Sequence, residues 1–227
     1  MLMLGTLVNT GAVVMGSAVG LTARTRLPER IKVILMQALG LAVVAIGLRM
    51  ALEAQHVLLA VSCLLLGGVT GELLCIEQRL DTLAELLRRI LRSDSSRFVE
   101  GFVTASLLYL TGAMTIVGSI QDGTLGDPSV LLVKSLLDGV ASVTLASSLG
   151  IGVMFSALPV FLVQGSITLL AAQLAFLSQP AVLDAINATG GLLILGIGIN
   201  LLEIGRIHIG NLLPALFYAI AGALLFL

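Results

Sequence analysis

Charge is scarce in this sequence. Only 11% of the 227 residues are Asp, Glu, Lys or Arg, while 58% are apolar, against roughly 25% charged in an ordinary soluble domain. A soluble globule is excluded. Cysteine is nearly absent: Cys63 and Cys75 stand twelve apart with no Cys-x-x-Cys motif, and His56 and His208 lie far apart in the chain. Neither a disulfide framework nor a zinc site is indicated, and nothing calls for a cofactor. The net charge is −1, without the concentrated basic face that nucleic-acid binding requires. The N-terminus lacks the basic segment that opens a cleaved signal peptide, so residues 2–21 are expected to remain as a first membrane helix.

What is abundant is apolar sequence in long runs, such as Val57 to Leu66 and Leu212 to Leu227, without the alternation of barrel strands. A spanning helix takes about 20 residues. Eight spans are expected, at 2–21, 32–52, 56–75, 99–120, 129–155, 157–177, 186–204 and 208–227, giving an all-α, multi-pass fold. Lys and Arg in short loops mark the cytoplasmic side. Arg24, Arg26, Arg30 and Lys32 fall in the first loop, Arg79, Arg88, Arg89, Arg92 and Arg97 in the third, and Arg206 in the seventh, so ten of twelve positive charges share one side. Both termini are expected outside. Between the third and fourth spans, Leu73, Ile76, Leu80, Leu83, Leu87 and Ile90 recur at helical spacing opposite Glu77, Asp81, Glu85, Arg88, Arg89 and Arg92. That pattern predicts an amphipathic helix on the cytoplasmic surface.

A shift of 151 residues lays Gly40-Leu-Ala-Val-Val-Ala-Ile-Gly47 on Gly191-Leu-Leu-Ile-Leu-Gly-Ile-Gly198 and Gly71-Glu-Leu-Leu74 on Gly222-Ala-Leu-Leu225. A shift of 155 lays Leu7-Val8-Asn9 on Leu162-Val163-Gln164. Spans 1 to 3 thus correspond to spans 6 to 8. The odd separation of five spans reverses their direction, which predicts an inverted repeat of the kind on which many transporters are built. The expected organisation is a first three-helix repeat at 1–75, a linker at 76–98, two central helices at 99–156 and a second repeat at 157–227. Gly16 and Gly20, with Ala12 a turn earlier, form a small-residue face expected to mediate a homodimer. Gly190, Gly191, Gly196 and Gly198, and the run Ser147 to Gly152, are the places where a helix is expected to unwind.

A charged side chain at mid-membrane costs about 2.5 to 3.5 kcal/mol on insertion scales and marks a candidate site. Asp138 lies about 14 Å along a helix starting at 129, near the bilayer centre. Lys134 precedes it by one turn. Two roles are open: a buried ion pair that only locks the helix, or a carboxylate in a cation or proton pathway. Ser135, Asp138 and Ser142 share a face, continued by Thr144, Ser147 and Ser148. Their hard oxygen donors suit small hard cations or protons, although membrane hydroxyls often bond their own helix. Asn9 and Gln164, as repeat mates, are expected to meet near the centre, and Asn200 is a further polar candidate. An intramembrane protease would need paired aspartates or a serine and histidine, and Asp138 has no second deep aspartate in this reading, so an enzyme is disfavoured.

The opening Gly5-Thr-Leu-Val-Asn9-Thr-Gly11-Ala, the segment Leu137-Asp138-Gly139 followed by Ala146-Ser-Ser-Leu-Gly150-Ile-Gly-Val-Met-Phe-Ser156, and Gly190-Gly191 with Gly196-Ile-Gly198-Ile-Asn200 together resemble the YdfK/YqgA family. The resemblance implies a bacterial inner-membrane protein and no established activity. A looser similarity, an Asp-led small-residue helix followed by a Gly-Gly-x4-Gly-x-Gly helix, resembles the lysine-exporter and manganese-exporter superfamily. The leading expectation is a transporter or channel-like protein for an inorganic cation or small polar solute. Its rival is a membrane scaffold or sensor acting through the cytoplasmic helix. Topology is checked by cysteine labelling of intact cells at positions 2 and 93. Labelling at position 2 alone is expected, and labelling at position 93 alone overturns the orientation.

Overall fold

In the computed structural model, residues 3–24, 28–80, 82, 86, 97–110 and 113–226 are described, and their regular elements are all helical. The main helices are α1 (Leu4–Arg24), α2 (Glu29–Leu52), α3 (Val57–Leu73), α4 (Phe98–Leu110), α5 (Ala113–Thr124), α6 (Ser129–Leu149), α7 (Gly152–Phe155), α8 (Ala157–Leu169), α9 (Pro180–Leu201), α10 (Ile209–Leu212) and α11 (Ala215–Phe226). Residues 76–80 are also helical. Most of the expected amphipathic linker, at 81, 83–85 and 87–96, lies outside the described residues.

Local chemistry accounts for the breaks. The Asp127 carboxylate accepts from the Ser129 hydroxyl and N–H at 2.5 and 3.0 Å, opening α6. These same donors hold Asp127 below the ordinary carboxylate range. The expected span 129–155 ends early as a regular helix because Gly150 takes φ +89°, a conformation that side chains other than glycine rarely adopt. Pro214 has no N–H with which to continue a helix, and it separates α10 from α11. The expected span 157–177 is helical only to Leu169, followed by a single 3-10 turn at Ala175–Ser178.

Five segments are long and apolar enough to cross a membrane: Leu4–Arg24, Ser129–Leu149, Gly152–Leu169, Pro180–Leu201 and Ile209–Phe226. Two bent pairs raise the number to seven if each is one span, Met36–Leu52 with Val57–Leu73 at 118° and Phe98–Leu110 with Met114–Thr124 at 61°. Length and composition therefore support five to seven spans, where the sequence reading expects eight. The difference lies in the two bent pairs: the expected second and third spans form one of them, with Val57–Leu73 only 17 residues long, and the expected span 99–120 is divided into α4 and α5 of 13 and 12 residues.

Packing divides the chain into two units, one of residues Met1–Leu35 and Leu87–Ser178 and the other of Met36–Leu86 and Gln179–Leu227. This differs from the contiguous boundaries read from the sequence. The first helix of each expected repeat packs in one unit, while the second and third helices pack in the other.

In the first unit α1 and α6 run parallel in close contact. A Cβ at Gly16 would overlap the Gly139 carbonyl, and one at Gly20 the Val143 carbonyl. The small-residue face expected to dimerise is thus occupied within the chain. On α6 the polarity is inverted relative to a soluble helix: Leu136 is 70% and Val140 62% exposed, whereas Lys134 and Asp138 are 6% and 8% exposed. Apolar faces turned outward and polar faces inward are what lipid as solvent selects.

In the second unit glycines let backbones touch. A Cβ at Gly191 would meet the Gly47 carbonyl at 2.8 Å, and one at Gly198 the Gly40 carbonyl at 3.1 Å. A Cβ at Gly71 would overlap the Asn211 carbonyl, and one at Gly222 would approach Leu59 at 2.9 Å. The expectation that Gly190, Gly191, Gly196 and Gly198 break their helix is corrected: α9 is continuous from Pro180 to Leu201. These residues are all buried, and the approaches at Gly191 and Gly198 are instances of close helix packing.

Substituting Gly16 with Ala should lower stability by about 1 to 3 kcal/mol by forcing α1 from α6. Gly11→Ala, at a position with no atom within 4 Å of the added methyl, should not. Thermal denaturation of the purified protein in detergent compares the two.

Candidate functional site

The polar interior of the first unit is assembled from α1, α6 and α8, with α4 alongside. Asp138 projects from the middle of α6, where its Oδ2 accepts from Lys134 Nζ and, at 3.1 Å, from Asn9 Nδ2 of α1. Asn9 Nδ2 also donates to Gln164 Oε1 of α8 at 2.9 Å. Gln164 Nε2 donates in turn to Thr6 Oγ1 at 3.2 Å, and Thr6 Oγ1 lies 3.3 Å from Thr168 Oγ1. Lys134 Nζ lies 5.9 Å from the centroid of the Tyr109 ring, within range of cation–π attraction. The Tyr109 hydroxyl and Ser142 Oγ are 2.7 Å apart. Asn9 and Gln164 are fully buried, and Asn9 Oδ1 has no partner.

Asp138, Lys134, Asn9 and Gln164, singled out from the sequence, are therefore bonded into one network, and Ser142 joins its edge through Tyr109. The remaining candidates separate. Ser147 donates to the carbonyl of Thr144 at 2.7 Å on its own helix, the usual fate of a membrane hydroxyl. Ser148 Oγ is buried without a partner. Asn200 belongs to the second unit, where its amide brackets Ile207, donating to the carbonyl at 2.8 Å and accepting from the N–H at 2.7 Å. It holds the chain reversal after α9, in which Glu203 takes φ +57°. Both ends of its amide are thus engaged with backbone at this turn.

Sequence reasoning missed Thr6, Thr168, Tyr109 and, above all, Asp122. A second aspartate, Asp122, is also fully buried in the protein, where it meets the first turn of α1 and not its middle. Its Oδ2 accepts the Gly5 N–H at 3.2 Å and its Oδ1 has no partner. The expected span stopped at 120 and left Asp122 to a loop, whereas α5 continues to Thr124. The available signal was the three-residue spacing of Ser119 and Asp122, which places both on one helix face.

The second unit has a polar cluster of its own. Asn211 Nδ2 donates to Glu72 Oε2 at 2.5 Å, the Glu77 N–H donates to Asn211 Oδ1 at 2.8 Å, and the Gly210 N–H donates to Glu77 Oε2 at 2.6 Å. These bonds tie the end of α3 and the start of the linker to α10.

Helices with apolar exteriors and a hydrogen-bonded polar interior define this chain as a helical membrane protein. It belongs to the family described as "Protein of unknown function (DUF554)", whose profile matches residues 4–224. It is similar to "Uncharacterized protein YqgA" of Escherichia coli (strain K12), with 30% identity over 96% of this chain and 95% of that protein. It is also similar to "Uncharacterized membrane protein YdfK" of Bacillus subtilis (strain 168), with 33% identity over 94% of this chain and 93% of that protein. These relatives match the resemblance read from the motifs and do not extend to the lysine-exporter and manganese-exporter superfamily. No solved structure matches.

Asn9→Ala and Gln164→Ala should each cost about 1 to 3 kcal/mol by stranding buried donors or acceptors. A double-mutant cycle by thermal denaturation should show coupling of about 0.5 to 3 kcal/mol. Simple additivity would mean that the two amides do not act as a unit.

Proposed function

We propose that this chain is a small bacterial inner-membrane transporter or channel-like protein for an inorganic cation or small polar solute, with Asp138 as its charged element. The observation that carries the reading is the convergence of Asp138, Asn9 and Gln164 from three helices into one buried network. A carboxylate, two amides and nearby hydroxyls make a hard, hydrogen-bonding lining suited to such cargo. Lys134 acts as a tethered cation that occupies Asp138 when cargo is absent and withdraws when cargo binds.

Contacts between repeat mates support the inverted repeat. Asn9 touches Gln164, its own mate. Gly47 approaches Gly191, the mate of Gly40, while Gly40 approaches Gly198, the mate of Gly47. Reciprocal pairing of this kind is what a two-fold relation between copies produces. Eight crossings follow if the two arms joined at 118° each cross once and the pair bent by 61° crosses together. With ten of twelve positive charges then in cytoplasmic loops, both termini face outward. The chain acts as a transporter rather than an enzyme. The rival, a scaffold acting through the cytoplasmic helix, lacks an equally specific observation.

Reconstituted liposomes test the reading. Asp138→Asn should abolish flux while the protein stays folded, because the amide keeps shape and one acceptor but loses charge. If Asp138 only neutralises Lys134, the single change should instead cost about 3 to 5 kcal/mol by leaving the ammonium unpaired, and Asp138→Leu together with Lys134→Met should restore stability. Restored stability with wild-type flux in the double variant would reduce Asp138 to a structural residue and overturn the proposal.

A further inference from the structure

The mechanism above leaves Asp122 unused, and its situation is unlike that of Asp138. Asp138 has an ammonium beside it, whereas Asp122 is fully buried with a single backbone N–H on Oδ2 and nothing on Oδ1. Among the described residues, the helices packed around it supply no cationic side chain to pair with it. Its own helix α5 carries no other charged residue, and neither α8 nor the turn at Ala175–Ser178 carries any. The charged groups of α6 are Lys134 and Asp138, already paired with one another. On α1 the sole charged residue is Arg24, some 28 Å along the helix from Gly5. Among the described residues of these helices the buried charged side chains are Lys134, Asp138 and Asp122, so Asp122 is balanced by no cationic side chain and only by the partial positive charge at the start of α1. A carboxylate buried without a cationic partner is costly, and the cost is relieved either by a proton or by a bound cation.

A second observation lies one turn away. Ser119 is also fully buried, and its Oγ has no partner. Other hydroxyls of this unit take their own helix's carbonyls, as Thr124 does with Ile120 and Ser135 with Leu131, both at 2.6 Å. Ser119 does not, and it is not bonded to Asp122 Oδ1 either. Ser17 and Ser148 have orphan hydroxyls too, but neither has an aspartate one turn further along its helix. Two unpartnered hard oxygens on one helix face, one of them on a carboxylate and not hydrogen-bonded to the other, are the donors that a hard cation takes.

We propose that Asp122 and Ser119 form a second cation site, distinct from the Asp138 network, that takes a hard monovalent ion of the sodium class. The claim concerns binding and stands whether or not the protein moves cargo. Asp122 supplies the charge and Oδ1, Ser119 supplies a neutral oxygen, and the Gly5 N–H fixes the other carboxylate oxygen so that Oδ1 remains free.

The test is thermal unfolding of the full chain in detergent, with sodium chloride titrated against choline chloride at constant ionic strength. Sodium should raise Tm by about 5 °C or more at a hundredfold excess over Kd. Asp122→Asn should lose this response, Ser119→Ala should shift its midpoint upward by about tenfold, and Asp138→Asn should keep it. Asp122→Asn in choline should melt no lower than wild type, since it removes the uncompensated charge. If Asp122→Asn does not fold, the wild-type titration and Ser119→Ala decide. An absent sodium response, one that survives Asp122→Asn, one lost instead in Asp138→Asn, an unshifted midpoint in Ser119→Ala, or stabilisation by acid alone would each overturn the proposal.

Discussion

A carboxylate in the middle of a membrane helix must be given partners, and most of the first unit follows from that requirement. Asp138 takes an ammonium from its own helix and an amide from α1. That amide then needs an acceptor, which α8 supplies through Gln164, and Gln164 needs one in turn, which Thr6 supplies. The sequence of obligations fixes which helices are neighbours and at what depth they meet. In lipid there is little hydrophobic gain from bringing helices together, so the polar chain and close backbone packing carry the specificity.

Close packing is the second half of the same arrangement. Asn9 reaches Asp138 because α1 and α6 approach along Gly16, Gly20 and Gly139, where side chains would hold them apart. The second unit uses glycine in the same way without a charged centre, and its polar contacts lie at helix ends, around Asn200 and Asn211. The Asp138 network of the first unit lies in the interior of its helices, whereas the hydrogen bonds of Asn200 and Asn211 in the second lie at helix ends.

The Asp138 network was legible because a charge stands out in an apolar window, and because a weak internal similarity paired Asn9 with Gln164. Asp122 was not, since Gln121-Asp-Gly-Thr-Leu-Gly-Asp-Pro128 has the composition of a loop and only tertiary contact with the start of α1 shows the helix continuing. The glycines of α9 look like breaks in the sequence because composition does not distinguish a glycine that frees the backbone from one that admits a neighbouring helix. The division into packing units is hidden for a related reason: internal similarity identifies equivalent helices but not which copies pack together.

The bond between Asn9 and Asp138 spans 129 residues, and this has a consequence for biogenesis. At about 5 to 20 residues per second, α1 leaves the ribosome roughly 6 to 26 s before the helix that completes it. For that interval the Asn9 amide faces lipid, or the machinery that inserted it, with its eventual partners not yet made. The order of synthesis makes the first helix the one that must be held in waiting, so a delay in producing α6 would expose it to premature association with neighbouring chains.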